Sequence, residues 1–288
     1  MFLLDRKSDH MTDFERRRNL VLLLLLGTLG MLGPIGHDLF IPNIPLIAEG
    51  LNTTTSIVSS SISVIFAGSA LGTLFHGPLA DRFGRKPIIL CILVIYSLTS
   101  IGAALATNIE TLLIFRFLQG IGLSGGRVLA AAVARDLFDK ERLAKMLADM
   151  MFIVSLSPIL APIIGGYLAK YMPWQTNLAI MAIFGGILFI LFSTSFEETV
   201  KRGSRRELRI AELLRNAKIT TLNRTFLAHS LCGGLMLTGL VIFLSVSAGI
   251  LIGSYGVSPE TYGLLFALVS CFHLAGTLIG ARLVTGTG

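Results

Sequence analysis

The chain has 288 residues, of which 53% are hydrophobic and only 14% charged, and its mean hydropathy is +0.77. Soluble domains carry about 25% charged residues, so a soluble enzyme, a disordered tail and a nucleic-acid-binding domain are excluded. The net charge of +7 raises the question of an anionic partner, which the placement of the charges answers below.

A bilayer core of about 30 Å takes about 20 apolar residues as a helix, and a chain crossing lipid must satisfy its backbone hydrogen bonds internally. Eight segments qualify, at 20–41, 56–79, 87–106, 111–135, 146–170, 174–195, 225–252 and 261–283. The expected fold class is an all-α polytopic membrane protein. The first segment is too long, and lacks the small-residue cleavage site, for a signal peptide. The second is the most polar, opening on Ser59, Ser60 and Ser61.

Basic residues alternate with the spans. The arm before span 1 holds Arg6, Lys7, Arg16, Arg17 and Arg18; the loop after span 2 holds Arg82, Arg85 and Lys86; the loop after span 4 holds Arg135, Lys140, Arg142 and Lys145. Eight more lie between Lys201 and Arg224, and Arg282 follows span 8, so 21 of the 24 fall on one side. Such asymmetry predicts that both ends are cytoplasmic and that the basic pI is a topology signal, with a secondary attraction to anionic lipid. Four regions follow: a cytoplasmic arm (1–19), a six-helix bundle (20–196), a cytoplasmic linker (197–223) and the start of a second bundle (224–288). Within the linker, 205–218 spaces Leu208, Ala211 and Leu214 at helical intervals among basic residues, as either a solvated connector or a surface-lying amphipathic helix.

Gly72-Thr73-Leu74, Leu79 and Gly84 recur 204 residues later as Gly276-Thr277-Leu278, Leu283 and Gly288. Both copies close an even-numbered span on the same side, which suggests a parallel duplication of six-helix halves. Two full copies would need about 400 residues, so the chain is expected to be truncated after two helices of its second half.

The polar residues inside the spans carry the chemistry. Span 1 ends on His37-Asp38-Leu-Phe-Ile-Pro42-Asn43-Ile-Pro45, with Asp38 about 27 Å along the helix from the cytoplasmic start. Arg116 in span 4 lies about 7 Å inside the same outer boundary. A carboxylate is pushed up by desolvation and pulled down by a nearby guanidinium, so Asp38 and Arg116 are the minimum equipment for proton coupling. The plainer alternative is an Asp38 that caps its helix in water. His37 lies about 100° around the helix and is expected to be an accessory or surface histidine. Arg127, eleven residues beyond Arg116, is expected on the same helix face, in packing, ion pairing or function. After span 2, Gly77-Pro-Leu-Ala-Asp81-Arg82-Phe-Gly84-Arg85-Lys86-Pro87 reads as a tight turn with Asp81 in ion-pair range of Arg82 and Arg85. Span 5 carries Ser157-Pro158-Ile-Leu-Ala161-Pro162-Ile-Ile-Gly165-Gly166, whose small residues allow close helix approach.

These motifs resemble the major facilitator superfamily. The 77–87 loop resembles its G-x-L-A-D-R-x-G-R-K signature, Arg116-Phe-Leu-Gln119-Gly120 its R-x-x-Q-G motif, and 158–166 its antiporter motif G-P-x-x-G-G, with Ala161 in place of the first glycine. Phe196-Glu197-Glu198-Thr199 is similar to the family's F-x-E-T ending of the sixth helix. The series resembles the twelve-helix drug:proton antiporters, most closely the bicyclomycin-resistance (Bcr/CflA) subfamily. The resemblance implies a major facilitator fold and proton-coupled efflux of drugs or small amphipathic compounds by alternating access. Asp38 would carry the proton and Arg116 modulate it; Gly77, Asp81, Arg82, Gly84 and Arg85, with Asp136 as partner acid, would form a cytoplasmic gate joining the two halves. It further implies a monomer in the bacterial inner membrane, a drug-like substrate and protons as partners, and the proton gradient as energy source with no cofactor, metal or catalytic residue. A metabolite uniporter or symporter and a non-transporting truncated membrane protein are the alternatives. A membrane enzyme is disfavoured, because histidines 10, 37, 76, 229 and 273 are scattered without a nucleophile or metal grouping. Cysteines 91, 232 and 271 lie in apolar runs at no metal-ligand or disulfide spacing.

Overall fold

The computed structural model describes residues 13–200, 215 and 219–286, which are helical almost throughout and contain no strand. The expected amphipathic segment at 205–218 therefore lies outside the described residues, Arg215 excepted, and the second copy of the repeat is seen as helix as far as Gly286.

Span 1 is broken. Helix α1 (Asp13–Gly30) gives way at Met31 to α2 (Leu32–Asp38), then a single 3-10 turn (Ile41–Asn43) and α3 (Ile44–Gly50). The two parts, Phe14–Gly30 and Leu32–Gly50, meet at 41°. The sequence explains the break: Gly30, Gly33 and Gly36 weaken the helix, while Pro34, Pro42 and Pro45 each remove a backbone donor. The helical path thus runs well past the expected end at residue 41.

Helix α4 (Thr55–Phe83) starts where the Thr54 side chain accepts from the Ile57 amide and runs 29 residues without interruption despite its serines. Two of its hydroxyls bond back into the helix, Ser60 to the Ile57 carbonyl at 2.6 Å and Thr73 to the Ser69 carbonyl at 2.8 Å. α4 ends at Gly84, whose φ of 108° strains any residue with a Cβ, and α5 (Arg85–Ala104) begins at the next residue. Helix α6 (Ile109–Leu137) opens on Asn108, which accepts from the Thr111 amide at 2.8 Å. Span 5 is divided at Leu156 into α7 (Lys140–Ser155) and α8 (Ser157–Tyr171), one residue before the turn that carries Pro158. Helix α9 (Gln175–Ser195) completes the first six. Beyond the linker, α10 (Arg224–Ala248) continues as a π-helix (Gly249–Ser254), and α11 (Pro259–Gly286) follows.

Among the described residues six helices are long and apolar enough to cross a membrane, or seven if the bent first pair counts as one span, and α11, though long, is not one of these. The polarity is that of a lipid-embedded bundle. Leu98, Leu105, Ile114, Ile183 and Ile190 are exposed on the outside, whereas Arg116, Gln119, Ser100 and Asn177 are buried. The most extensive pairings are α4 with α6, α5 with α6 and α9, and α8 with α11. Helix α10 is largely exposed, its buried residues being Leu244, Ser247 and Ala248.

Candidate functional site

Two polar groupings stand at opposite ends of the first six helices. The first is an internal layer built on α2, α5 and α6. Arg116 is 0% exposed, turned into the bundle and not toward lipid. Its Nη1 donates to the Gly36 carbonyl at 2.8 Å and to Gln119 Oε1 at 2.7 Å, and its guanidinium carbon lies 4.1 Å from the centre of the Phe40 ring. Gln119 passes the chain on, donating from Nε2 to Ser100 Oγ at 2.6 Å, while Ser100 donates to the Tyr96 carbonyl at 2.6 Å. Gly120, next in the motif, lies so close to the Ile65 carbonyl of α4 that a Cβ would collide with it. The R-x-x-Q-G stretch thus builds one hydrogen-bonded stack and one close helix crossing.

The expected Asp38–Arg116 pair is not formed. Asp38 is 2% exposed, which removes the alternative of a solvated helix cap. Its Oδ1 instead meets His37 Nδ1 at 2.9 Å, and its Oδ2 has no hydrogen-bond partner among the described residues. This corrects the expectation for His37, which does not turn away. Both residues stand in the last turn of α2, so the contact is made by the two side chains reaching toward each other and not by a change in the backbone. The His37 ring is stacked on Phe66 of α4, with centroids 5.5 Å apart. Arg127 is exposed although Arg116, on the same face of α6, is sealed. The cover supplied by α2 and Phe40 does not extend to its level.

The break after Asp38 leaves main-chain carbonyls to be satisfied inside the bundle. Two asparagines do this. Asn177 Nδ2 donates to the Leu39 carbonyl at 3.2 Å and the Gly165 carbonyl at 3.4 Å, and Asn43 Nδ2 reaches the same two acceptors at 3.5 Å. The signal for Asn177 was present in the sequence as one of two amides, with Gln175, at the start of span 6, since polar residues inside membrane helices need a partner. Buried His76, in contact with Ser124 Oγ at 3.2 Å across α4 and α6, was likewise not singled out.

The span 5 motif binds helix to helix. Gly165 packs on the Leu39 carbonyl and Gly166 on the Pro259 carbonyl of α11; reciprocally, Gly263 of α11 packs on the Pro162 carbonyl. Both contacts are too close for a side chain. Pro158 and Pro162 lie within α8, Pro158 in its first turn. One helical turn beyond Gly166, Lys170 Nζ contacts Glu260 Oε1 at 2.6 Å, and that hydrogen bond holds the Glu260 carboxyl below the usual carboxylate range.

The second grouping lies at the junction of α4 and α5. Arg85 Nη1 lies 2.7 Å from Asp81 and its Nε 3.0 Å from Asp136 Oδ2, which also accepts from Thr199 at 3.1 Å. The turn expected over 77–87 contracts to Gly84 alone, because Gly77 to Phe83 complete α4. Gly77 has nothing near the position of a Cβ, and Arg82 lies over its neighbour Phe83, 5.2 Å from the ring centre, rather than on Asp81. Glu198, named above only as part of the span 6 ending, is a full member: its two oxygens accept from the amides of Arg85 and Lys86 at 2.9 and 3.2 Å. A carboxylate there satisfies orphan donors at the α5 N-terminus and complements its dipole. Every member lies between residues 81 and 199, so the cluster ties α4, α5, α6 and the end of α9 together within one half. The resemblance implied a bond between two halves.

The comparisons with known proteins agree on the architecture. The Major Facilitator Superfamily profile matches residues 11–287. The chain is 32% identical over 269 residues to the uncharacterized MFS-type transporter YdgK of Bacillus subtilis, covering 92% of this chain and 67% of that protein. It is 30% identical over 274 residues to the bicyclomycin resistance protein homolog of Haemophilus influenzae (95% and 69%), and 32% identical over 248 residues to the multidrug resistance protein MdtL of Salmonella heidelberg (86% and 62%). It therefore spans about two thirds of the length of these relatives. Among solved structures, a bacterial homologue of the lysosomal transporter Spinster in an inward-facing conformation superposes with a TM-score of 0.72 at 17% identity, over 93% of this chain and 63% of that one. A D-xylose-proton symporter superposes at 0.70, also at 17% identity, over 93% and 70%. The broken first helix, the R-x-x-Q-G stack and the charged α4–α5 junction thus sit in a transporter, not an enzyme: the chain belongs to the Major Facilitator Superfamily.

Proposed function

We propose that this protein works in proton-coupled export of drugs or small amphipathic compounds across the bacterial inner membrane by alternating access. The observation that carries the reading is Asp38, a carboxylate buried at a break in a membrane helix with one oxygen unpartnered. Such a group is costly to keep charged in an apolar setting, so its charge is a natural quantity to exchange against a proton. The names of the bicyclomycin-resistance and multidrug-resistance relatives support a drug-like substrate, and the small-residue run at 158–166 favours antiport over symport. We place residues 20–196 as a complete six-span half, 197–223 as a cytoplasmic linker and 224–288 as the first two spans of a second half, in a monomer with both ends cytoplasmic. The cluster of Asp81, Arg85, Asp136 and Glu198 sets the cytoplasmic base of the first half, while Arg116 fixes the conformation of α2 next to Asp38.

The test is ethidium movement in everted membrane vesicles containing the protein. Energisation should drive ethidium accumulation that collapses when nigericin removes the pH gradient, and Asp38→Asn should reduce it to the level of vesicles lacking the protein. Accumulation by Asp38→Asn that still follows the gradient sinks the assignment.

A further inference from the structure

We propose that His37 and Asp38 act as one proton-binding unit in which the incoming proton is taken by Nε2 of the imidazole and Asp38 serves as its fixed counter-charge. Asp38 is 2% exposed and meets His37 Nδ1 through Oδ1 at 2.9 Å, whereas the His37 side chain is 17% exposed. The more deeply buried member of the pair is thus the carboxylate, and the less buried member is the imidazole.

The chemistry follows from that contact. With the Nδ1 hydrogen donated to Asp38, Nε2 carries the free lone pair and the pair bears one negative charge. Adding a proton to Nε2 forms one N–H bond, breaks none, and yields an imidazolium–carboxylate pair of zero net charge. In water an imidazole holds a proton about 2.6 pH units higher than an aspartate carboxyl. The net charge of a low-dielectric site changes from −1 to 0 without the carboxylate itself being protonated.

The surroundings limit the unit to one proton. From α6, Arg116 donates to the carbonyl of Gly36, the residue before His37, and its permanent charge opposes a second positive charge there. From α5, the Tyr96 hydroxyl lies beside Gly36. From α11, the Tyr262 hydroxyl pairs with Ser247 of α10 at 2.7 Å. Phe66 of α4 stacks on the ring and holds its plane.

The use of this unit in transport rests on the proton-coupled reading above, but its test does not. Protein labelled with ¹⁵N-histidine and reconstituted in liposomes is titrated from mildly alkaline to mildly acidic pH, with ring nitrogens followed by solid-state NMR and carboxyl carbonyls by infrared difference spectroscopy. The His37 signals are those lost in His37→Gln, or in His37→Asn should the first variant fail to insert. On acidification His37 Nε2 should change from bare to protonated, with no Asp38 acid carbonyl band in the wild type. In His37→Gln that band should appear, and it should be lost again in His37→Gln with Asp38→Asn. A His37 Nε2 that stays bare overturns the proposal, as does a wild-type acid carbonyl band abolished by Asp38→Asn. A protonated Nε2 in a protein whose ethidium accumulation ignores the gradient would keep the unit and remove the transport reading.

Discussion

Arg116 is a cation held inside the bundle by neutral acceptors: a carbonyl, an amide oxygen and an aromatic face. Its removal strands the Gly36 carbonyl and Gln119 Oε1, and an unsatisfied buried polar group costs about 1–3 kcal/mol. Arg116→Ala is therefore expected to destabilise the protein by about 3 kcal/mol, read as a fall in the midpoint of thermal unfolding in detergent. Arg116→Lys should recover only part, because an ammonium lacks the planar face set over Phe40. The sequence marked Arg116 and Asp38 as intramembrane charges in the same outer third, and both are buried. It could not supply their partners. Arg116 is anchored by a backbone carbonyl, which leaves no trace in a side-chain pattern, and Asp38 meets His37 through side-chain conformations that helical spacing does not specify.

At the scale of elements, the junction of α8 and α11 depends on two glycines that admit the opposing backbone. Lys170→Cys with Glu260→Cys, in a background lacking the exposed cysteines 91, 232 and 271, should cross-link on mild oxidation; adding Gly166→Leu should abolish the cross-link, as gel mobility would report. The Lys170 bond lowers the Glu260 pKa. A carboxyl whose folded-state pKa is depressed contributes stability above its unfolded value of about 4.5, and that contribution is lost as pH falls through the folded value. The difference in melting temperature between wild type and Glu260→Gln should accordingly be present at neutral pH and shrink as the medium is acidified below that value. The small residues at 161–166 were legible as a close-packing surface. The identity of the opposing helix was not, because Gly263 stands in α11 without a motif to mark it. The contraction of the 77–87 turn to one residue was also hidden, since Pro78 suggests an end to α4 but falls in its last turns, where the helix continues past it.

For the whole molecule, hydropathy carries most of the helix placement. Each predicted segment is helical, and those at 56–79, 87–106, 111–135 and 174–195 are found within four residues at either end. The misjudged segments are those whose glycines and prolines bend the path, spans 1 and 5. With both ends placed in the cytoplasm, green fluorescent protein fused after Gly288 should be fluorescent and alkaline phosphatase fused there inactive; the opposite pair of outcomes would invert the topology. The base of the first half has a mechanical character of its own. Gly84 is a one-residue joint between α4 and α5, and Glu198 pins the start of α5 to the end of α9. A joint without slack behaves as a crank: a tilt of α4 is passed to α5, and through Glu198 to α9, with no loop to absorb it. Lengthening that joint by inserted glycines should therefore uncouple the helices while leaving each one intact.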